Sequence, residues 1–427
     1  MGKRTRAEAI KCHTNRNVFL TTTLAHFRHF DSSMSLFFAI VASVFLFVVA
    51  LQYMLIRVTL PQGLSSIVKI IISLLVTLSV NSIPFLYMIS GRIFDQLPWW
   101  HRELIIFPYA ILMVASAFSG TLLLIVFLAR SALPELWPKF DTSKRDFVAN
   151  SARLLAGSSL GALAYGAYYE NKSAEISKLV LSYRGLHPDL FGFRLVQITD
   201  IHSGPLISFE TIAEVVSRAN ALKPDLILLT GDYVNHNPAY IQGCLQLLDD
   251  LKAPAGVFGV YGNHDYYTGI DAMREGFSKT RISMLSDGRL VAEGLGGLLN
   301  IIGVDDPVSG WATDAQFENL GKISELVVPD QFNLLLSHRP GIFRVCDDLN
   351  VQLTLAGHTH GGQIIVPGVG ERGFSLAGLF VTYTHGLYES EKDREVRMYV
   401  SKGIGTIVAP VRLFCKPEIV EVTLTTG

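Results

Sequence analysis

The sequence predicts a chain in two parts: an N-terminal α-helical transmembrane bundle, then a C-terminal α/β domain. Three observations carry this reading. Of 427 residues, 49% are hydrophobic and 17% are charged, against roughly 25% charged in an ordinary soluble chain. The long uncharged runs gather before about residue 170. Beyond it, apolar runs of strand length alternate with segments of helical period, the pattern of a layered α/β domain.

In the first part, Leu36–Ile56, Ile70–Ile89 and Leu104–Ala129 contain no formal charge. About 20 helical residues cross a hydrocarbon core of about 30 Å. Spans are therefore expected at about 36–56, 64–90 and 104–129. A fourth stretch, 147–169, either spans or lies along the interface with Arg153 snorkelling; spanning is the preferred reading. Trp99, Trp100 and Trp137 suit an interfacial belt.

This gives a basic tail over 1–33, a membrane domain over 34–170, a linker over 171–190 and the α/β domain over 191–427. The expected location is an integral, multi-pass membrane protein with the bilayer as a partner. Lys144-Arg145 argues that the C-terminal domain lies outside the cytoplasm. Lys3, Arg4, Arg6, Lys11, Arg16 and Arg28 argue the reverse unless translation begins at Met34. The extracytoplasmic side is preferred.

A net charge of −1 gives no reason to expect a nucleic-acid partner. Cys12, Cys244, Cys346 and Cys415 form no CxxC pair, which excludes a zinc knuckle and a disulfide framework.

In the second part, strands are expected at Phe193–Thr199, Asp225–Thr230, Val257–Tyr261, Leu299–Val304, Phe332–Ser337 and Val351–Ala356. Phe209–Leu222 and Tyr240–Leu251 read as helices. Chemistry-bearing residues follow these runs: Asp200-Ile-His202, Gly231-Asp232, Gly262-Asn263-His264-Asp265, His338, and Gly357-His358-Thr-His360-Gly-Gly. Singly, Asp-x-His is mostly a chance pair and Gly-Asp mostly a turn. Adjacent imidazoles among glycines have little packing value, and the five in this order exceed chance. Strand ends in an α/β sheet converge on one edge. Carboxylates, a carboxamide and imidazoles gathered there suit two divalent ions such as Mn, Fe or Zn, with one carboxylate bridging them.

Together these motifs resemble the calcineurin-like metallophosphoesterases, in the membrane-attached YkuE-like branch that includes transmembrane proteins with a metallophosphoesterase domain. Gly361-Gly362-Gln363 and the tail from Tyr399 to Thr406, with Pro410, Arg412 and Pro417-Glu418-Ile419, support the match. The resemblance implies a four-layer α/β/β/α sandwich. It implies Asp200, His202, Asp232 and His360 on one metal, and Asp232, Asn263, His338 and His358 on the other. His264 would act on the transferring phosphoryl group or the leaving oxygen, with Asp265 orienting its ring. A hydroxide between the metals would attack phosphorus in line. Two departures are Asn235, where many relatives carry Asp, and Asp265, where members often have Glu.

Arg339 and Arg412 either bind a phosphate oxygen through their forks or are ordinary salt-bridged residues. His187, His236 and His385 are weaker candidates for the cleft, and Tyr266-Tyr267 for its wall. The loop Val366–Tyr388 is expected to set selectivity.

The function expected is a membrane-anchored, metal-dependent phosphoesterase that hydrolyses a phosphodiester, on a lipid-linked or envelope substrate. The alternatives are a UDP-2,3-diacylglucosamine pyrophosphatase-type hydrolase, or a non-catalytic regulatory module of a membrane sensor or transporter.

Overall fold

The computed structural model describes residues 32–61, 63–90, 107–132, 142–291, 298–306, 320–346, 348–407 and 409–427. Four long helices come first: α1 (Ser32–Thr59), α2 (Ser66–Ser90), α3 (Phe107–Ala132) and α4 (Thr142–Tyr165). One π-helical turn, Gly166–Glu170, ends α4. The chain divides into two units, the first holding the described residues up to Asn81 with Ser116–Arg153, the second Ser82–Ala115 with Leu154–Gly427.

The transmembrane bundle does not hold. Among the described residues, no helix is long and apolar enough to cross a membrane. Helices form where the uncharged runs predicted them, but a run without charge still carries polar side chains. Gln52, Ser73, Thr77, Ser116 and Ser119 are buried within the first unit. There Asn81 Nδ2 donates to Gln52 Oε1 and to the Thr77 carbonyl. An integral multi-pass location and a bilayer partner lose their ground with the bundle. Most of the basic tail, together with Trp99, Trp100 and Trp137, lies outside the described residues.

In the second unit, the segment expected as a linker forms β1 (Glu175–Tyr183). It pairs in parallel with β12 (Glu418–Thr426), from Glu175 opposite Glu418 to Tyr183 opposite Thr426. Its polar residues disguised it. As an edge strand it leaves Val180 exposed and buries only Leu181 and Tyr183.

Next come β2 (Arg194–Ile198), α5 (Phe209–Ala221), β3 (Leu226–Thr230), α6 (Ile241–Leu248) and β4 (Val257–Val260). Then follow α7 (Asn263–Phe277) and β5 (Ser283–Met284). The first sheet has the order β1-β12-β2-β3-β4-β5, parallel except where β12 meets β2.

The second sheet is built from β6 (Gly288–Val291), β7 (Leu299–Gly303), β8 (Phe332–Leu336), β9 (Leu353–Ala356), β10 (Gly386–Glu389) and β11 (Arg397–Val400). Its order is β10-β11-β9-β8-β7-β6, with β7, β8, β9 and β11 parallel. Two short helices, α8 (Leu320–Leu326) and α9 (Phe343–Cys346), accompany it.

Side chains on a strand alternate between faces, and here both faces of the central strands are buried. Leu226 and Leu228 of β3 pack with Leu334, Leu336 and Leu353 of the opposing sheet. Ile227 and Leu229 turn to Ile212, Val216 and Met273 on the flanking helices. On the far side, Leu335 and Met398 meet Ile323, Phe343 and Cys346. The layers are thus helix, sheet, sheet, helix, as expected for the C-terminal domain.

Candidate metal centre

The candidate ligands follow the carboxyl ends of five parallel strands. Asp200 and His202 follow β2, Asp232 follows β3, and Asn263 follows β4 as the first residue of α7. His338 follows β8, while His358 and His360 follow β9. Backbone bonds join these loops: within the second sheet Gly357 N–H donates to the His338 carbonyl at 3.0 Å, and Ile404 N–H donates to the Thr199 carbonyl, after β2 of the first sheet, at 3.1 Å.

Asp200, His202, Asp232, His358 and His360 all have positive φ, between 50° and 73°. A non-glycine residue held there costs roughly 1–3 kcal/mol and persists only when its surroundings fix it. Here they do. Asp200 N–H donates to Gly231 O and His202 N–H to Asp232 O, both at 3.0 Å. His358 N–H donates to the Asp200 carboxylate at 3.0 Å. Gly262 has no room for a side chain, because a Cβ there would fall on the Asp232 carboxylate.

The donor atoms converge. His202 Nε2 lies 3.0 Å from His360 Nε2, and His360 Nε2 lies 3.5 Å from Asp200 Oδ1. His358 Nδ1 lies 3.1 Å from His338 Nε2. Asp232 Oδ2 stands between the pairs, 3.4 Å from His202 Nε2 and 3.1 Å from His338 Nε2. Among the described residues, Asp200-His202-His360, Asp232-His338-His358 and His202-Asp232-His264 could each hold a metal ion.

Other features fit metal ions at this place. Asn263 Oδ1 is buried without a hydrogen-bond partner, a costly state that a cation would relieve. His338 Nδ1 donates to Thr230 O at 2.8 Å, and His360 Nδ1 to Gly405 O at 3.2 Å. A carbonyl only accepts, so these contacts place a proton on each Nδ1 and leave both Nε2 atoms facing the cluster. The Thr199 hydroxyl donates to Asp200 Oδ2 at 2.8 Å.

Protonation follows burial and charge. Burial holds the His202 and His358 imidazoles well below their ordinary value; His360 is pushed down to about 3 by burial and then by Arg412. Burial raises Asp200 to about 6. Burial alone would also raise Asp232, but His338 outweighs it and holds this carboxyl well below the usual range. Conversely, burial would depress His338, but Asp232 and then Asp200 raise it to about 10.

Beside the cluster, His264 N–H donates to Asp232 Oδ1 at 2.8 Å, and the His264 ring meets that of His202 edge-on at 4.6 Å. Asp265 does not contact that ring by a hydrogen bond. Its Oδ1 accepts from Tyr233 N–H at 2.9 Å; its Oδ2 accepts from Asp232 N–H at 2.9 Å and Gly262 N–H at 2.8 Å. His264 Nδ1 has no partner. Asp265 is the third residue of α7, and its carboxylate accepts the N–H of the N-cap residue Gly262.

His236 and Tyr267 stack and both approach His264. Arg339 pairs with buried Asp306 at 2.8 Å. Arg412 is fully buried, and its guanidinium donates to the carbonyls of Lys402, Gly403, Gly405 and Cys415. His187 is near Asp189, at 3.7 Å. His385 is half-buried beside Gly361. The carbonyls of Thr230 and Gly405, which orient two imidazoles, leave no trace in the sequence because every residue has one.

A cleft of about 430 Å³ opens over the cluster. Asp232, Asn263, His264, His358 and His360 line one part; Ile364, Leu376, Phe380, Val381 and Ile407 line another.

Residues 193–362 match the family model of calcineurin-like phosphoesterases. The chain is similar to the uncharacterized metallophosphoesterase YkuE of Bacillus subtilis (strain 168), with 30% identity over 66% of this chain and 97% of that protein. The chain belongs to the calcineurin-like phosphoesterases. This phosphoesterase is also 30% identical to an uncharacterized metallophosphoesterase of Aquifex aeolicus (strain VF5), over 54% of the chain and 84% of the relative. It is 28% identical to the phosphodiesterase YaeI of Escherichia coli (strain K12), over 66% of the chain and 99% of the relative. It is therefore a hydrolase of phosphoric esters. Members of the family normally work with a dinuclear divalent metal centre, and the clusters around Asp232 match that requirement.

Proposed function

We propose that this phosphoesterase hydrolyses a phosphodiester at two divalent metal ions. Asp200, His202, Asp232 and His360 would hold one ion; Asp232, Asn263, His338 and His358 would hold the other. The single observation that carries the diester reading is the cleft lining, which includes no Lys or Arg among the described residues. A monoester dianion gains from extra cations at its free oxygens, whereas a diester carries one charge and needs fewer. Arg339 faces Asp306 and Arg412 faces carbonyls, so neither supplies that charge. The relative YaeI of Escherichia coli (strain K12) is a phosphodiesterase, which supports this reading.

The ions, when bound, supply Lewis acidity and lower the pKa of a water between them. The chain's own residues do the rest. Asp265 fixes the backbone that carries Asp232. Thr230 O and Gly405 O orient His338 and His360. Burial keeps His264 below its ordinary value, so it is a neutral imidazole at pH 7. Its ring N–H can donate a hydrogen bond to a phosphoryl oxygen in the cleft.

The test is hydrolysis of bis-p-nitrophenyl phosphate and p-nitrophenyl phosphate by metal-stripped full-length protein, with Mn, Fe and Zn restored singly. Metal-dependent cleavage that prefers the diester and is lost in Asp232→Ala supports the reading. A preference for the monoester removes the diester assignment. Folded, metal-loaded protein that cleaves neither removes the catalytic one. A membrane location no longer argues for a lipid-linked substrate; what argues about the substituents on phosphorus is the cleft wall.

A further inference from the structure

The cleft is built from two chemistries that share one cavity. At one end stand Asp232, Asn263, His264, His358 and His360; along the other run Ile364, Leu376, Phe380, Val381 and Ile407. Leu376 and Phe380 are 70% and 65% exposed, and neighbouring Leu379 is 63% exposed. Apolar side chains held open to water at the mouth of a site mark a binding surface.

The wall has little with which to read polar groups. Its polar side chains, Thr359 and Gln363, are both engaged. Thr359 Oγ1 donates to Thr384 O. Gln363 Nε2 donates to Ala409 O at 3.0 Å and Val411 O at 3.3 Å, and its Oε1 accepts from Ile407 N–H at 2.6 Å. A sugar or a nucleobase needs placed donors and acceptors to be recognised. A hydrocarbon chain needs none. Outside the histidines at the metal end, Phe380 is the one aromatic residue among the lining residues described, so the wall holds no aromatic pair to sandwich a base.

The wall is also braced from behind. Ile364 packs with Val411, Leu163 and Ala167, and Gln363 ties the segment over Ile407–Val411 to its own backbone. The Gln363–Ile364 part of the wall is thereby held in place.

We infer that the substrate is a phosphoester bearing an aliphatic chain, which lies along Leu376, Phe380, Val381 and Ile407 while its phosphorus sits at the metal end. This rests on the phosphoesterase reading above and names its substrate class. Continuity of the wall with the metal end within one cavity is what assigns the occupant.

The experiment uses manganese-loaded, full-length protein and p-nitrophenyl alkyl phosphates with methyl, butyl and octyl groups, below their micelle concentrations. Each buried methylene is worth about a 4-fold gain. The ratio of kcat/KM for octyl over methyl is therefore expected to reach at least about 30-fold, since the chain fills only part of the wall. Leu376→Asp and Phe380→Asp, both at exposed positions, are expected to bring that ratio toward one. Calorimetry with octylphosphonate and methylphosphonate reads the same surface without turnover, and the octyl compound is expected to bind more tightly by a similar factor. Equal rates and equal affinities across the chain lengths would overturn the inference and leave the phosphoesterase intact. Tighter binding of octylphosphonate by a protein that cleaves no ester would support the wall and remove the catalytic reading instead.

Discussion

The Asp265 carboxylate accepts the backbone N–H of Asp232 at 2.9 Å. Two further N–H groups, from Tyr233 and Gly262, close on the same carboxylate. The acid that follows His264 in sequence therefore serves Asp232, 33 residues away in the chain. It holds Asp232 in its left-handed conformation and leaves His264 Nδ1 without a partner.

Asp265→Ala tests this division of labour. Three buried N–H groups would lose their acceptor, and Asp232 would lose its support. Metal affinity is expected to fall by about 10–100-fold, as when an outer partner of a ligand is removed. A manganese titration of activity, with the metal Kd measured separately, checks it. Unchanged affinity with a lowered rate at saturating metal would mean that Asp265 acts through His264 after all.

Arg412→Met probes the tail motif. The guanidinium binds the carbonyls of Lys402, Gly403 and Gly405, the strip whose Gly405 O orients His360. The change leaves buried carbonyls unpaired, at about 1–3 kcal/mol for each, so the midpoint of thermal unfolding should fall by several degrees. A phosphate ligand would behave differently, with a raised KM and an unchanged midpoint.

Metal uptake should release a proton. In the metal-free protein Asp232 raises His338 to about 10, so this imidazole is charged at pH 7 while its Nε2 faces the cluster. A cation must displace that proton. As pH rises toward about 10 less proton competes, and the apparent affinity strengthens by up to tenfold per pH unit. Calorimetry of manganese binding in buffers of different ionisation enthalpy should show about one proton released from this group at pH 7 and at pH 8. No release at either pH would show that His338 is neutral or is not a ligand.

Gly262→Ala should damage the centre without replacing a ligand. The backbone at Gly262 is extended, with φ −107°, so the penalty is steric: the new methyl meets the Asp232 carboxylate. Overpacking of this kind costs about 1–3 kcal/mol, and metal affinity is expected to fall at least tenfold. A variant that binds manganese as tightly as the parent would show that Asp232 tolerates displacement.

The central strands were legible because they are buried on both faces, so their sequences are continuous apolar runs. β3 and β8, whose neighbours alternate between the opposing sheet and the helices, needed no polar alternation to be found. β1 was not legible. An edge strand tolerates Ser, Lys and Glu, and only its partner β12, at the far end of the chain, reveals it as a strand. The uncharged runs near the N-terminus gave helices, but counting charges could not report the polar groups buried between them.

The sequence by itself determined the candidate ligand types and their order, because carboxylate, carboxamide and imidazole chemistry is a property of the residues. It also determined that they would meet, since each follows a parallel strand. Only the tertiary structure decided what orients them. That work falls to backbone carbonyls, to Asp265 across 33 residues, and to left-handed conformations that local sequence does not favour. The same holds for the apolar wall. Leu376 and Phe380 are ordinary residues in a loop until folding brings them beside Asp232. A hydrocarbon surface carries no motif, and its meaning comes from what it adjoins.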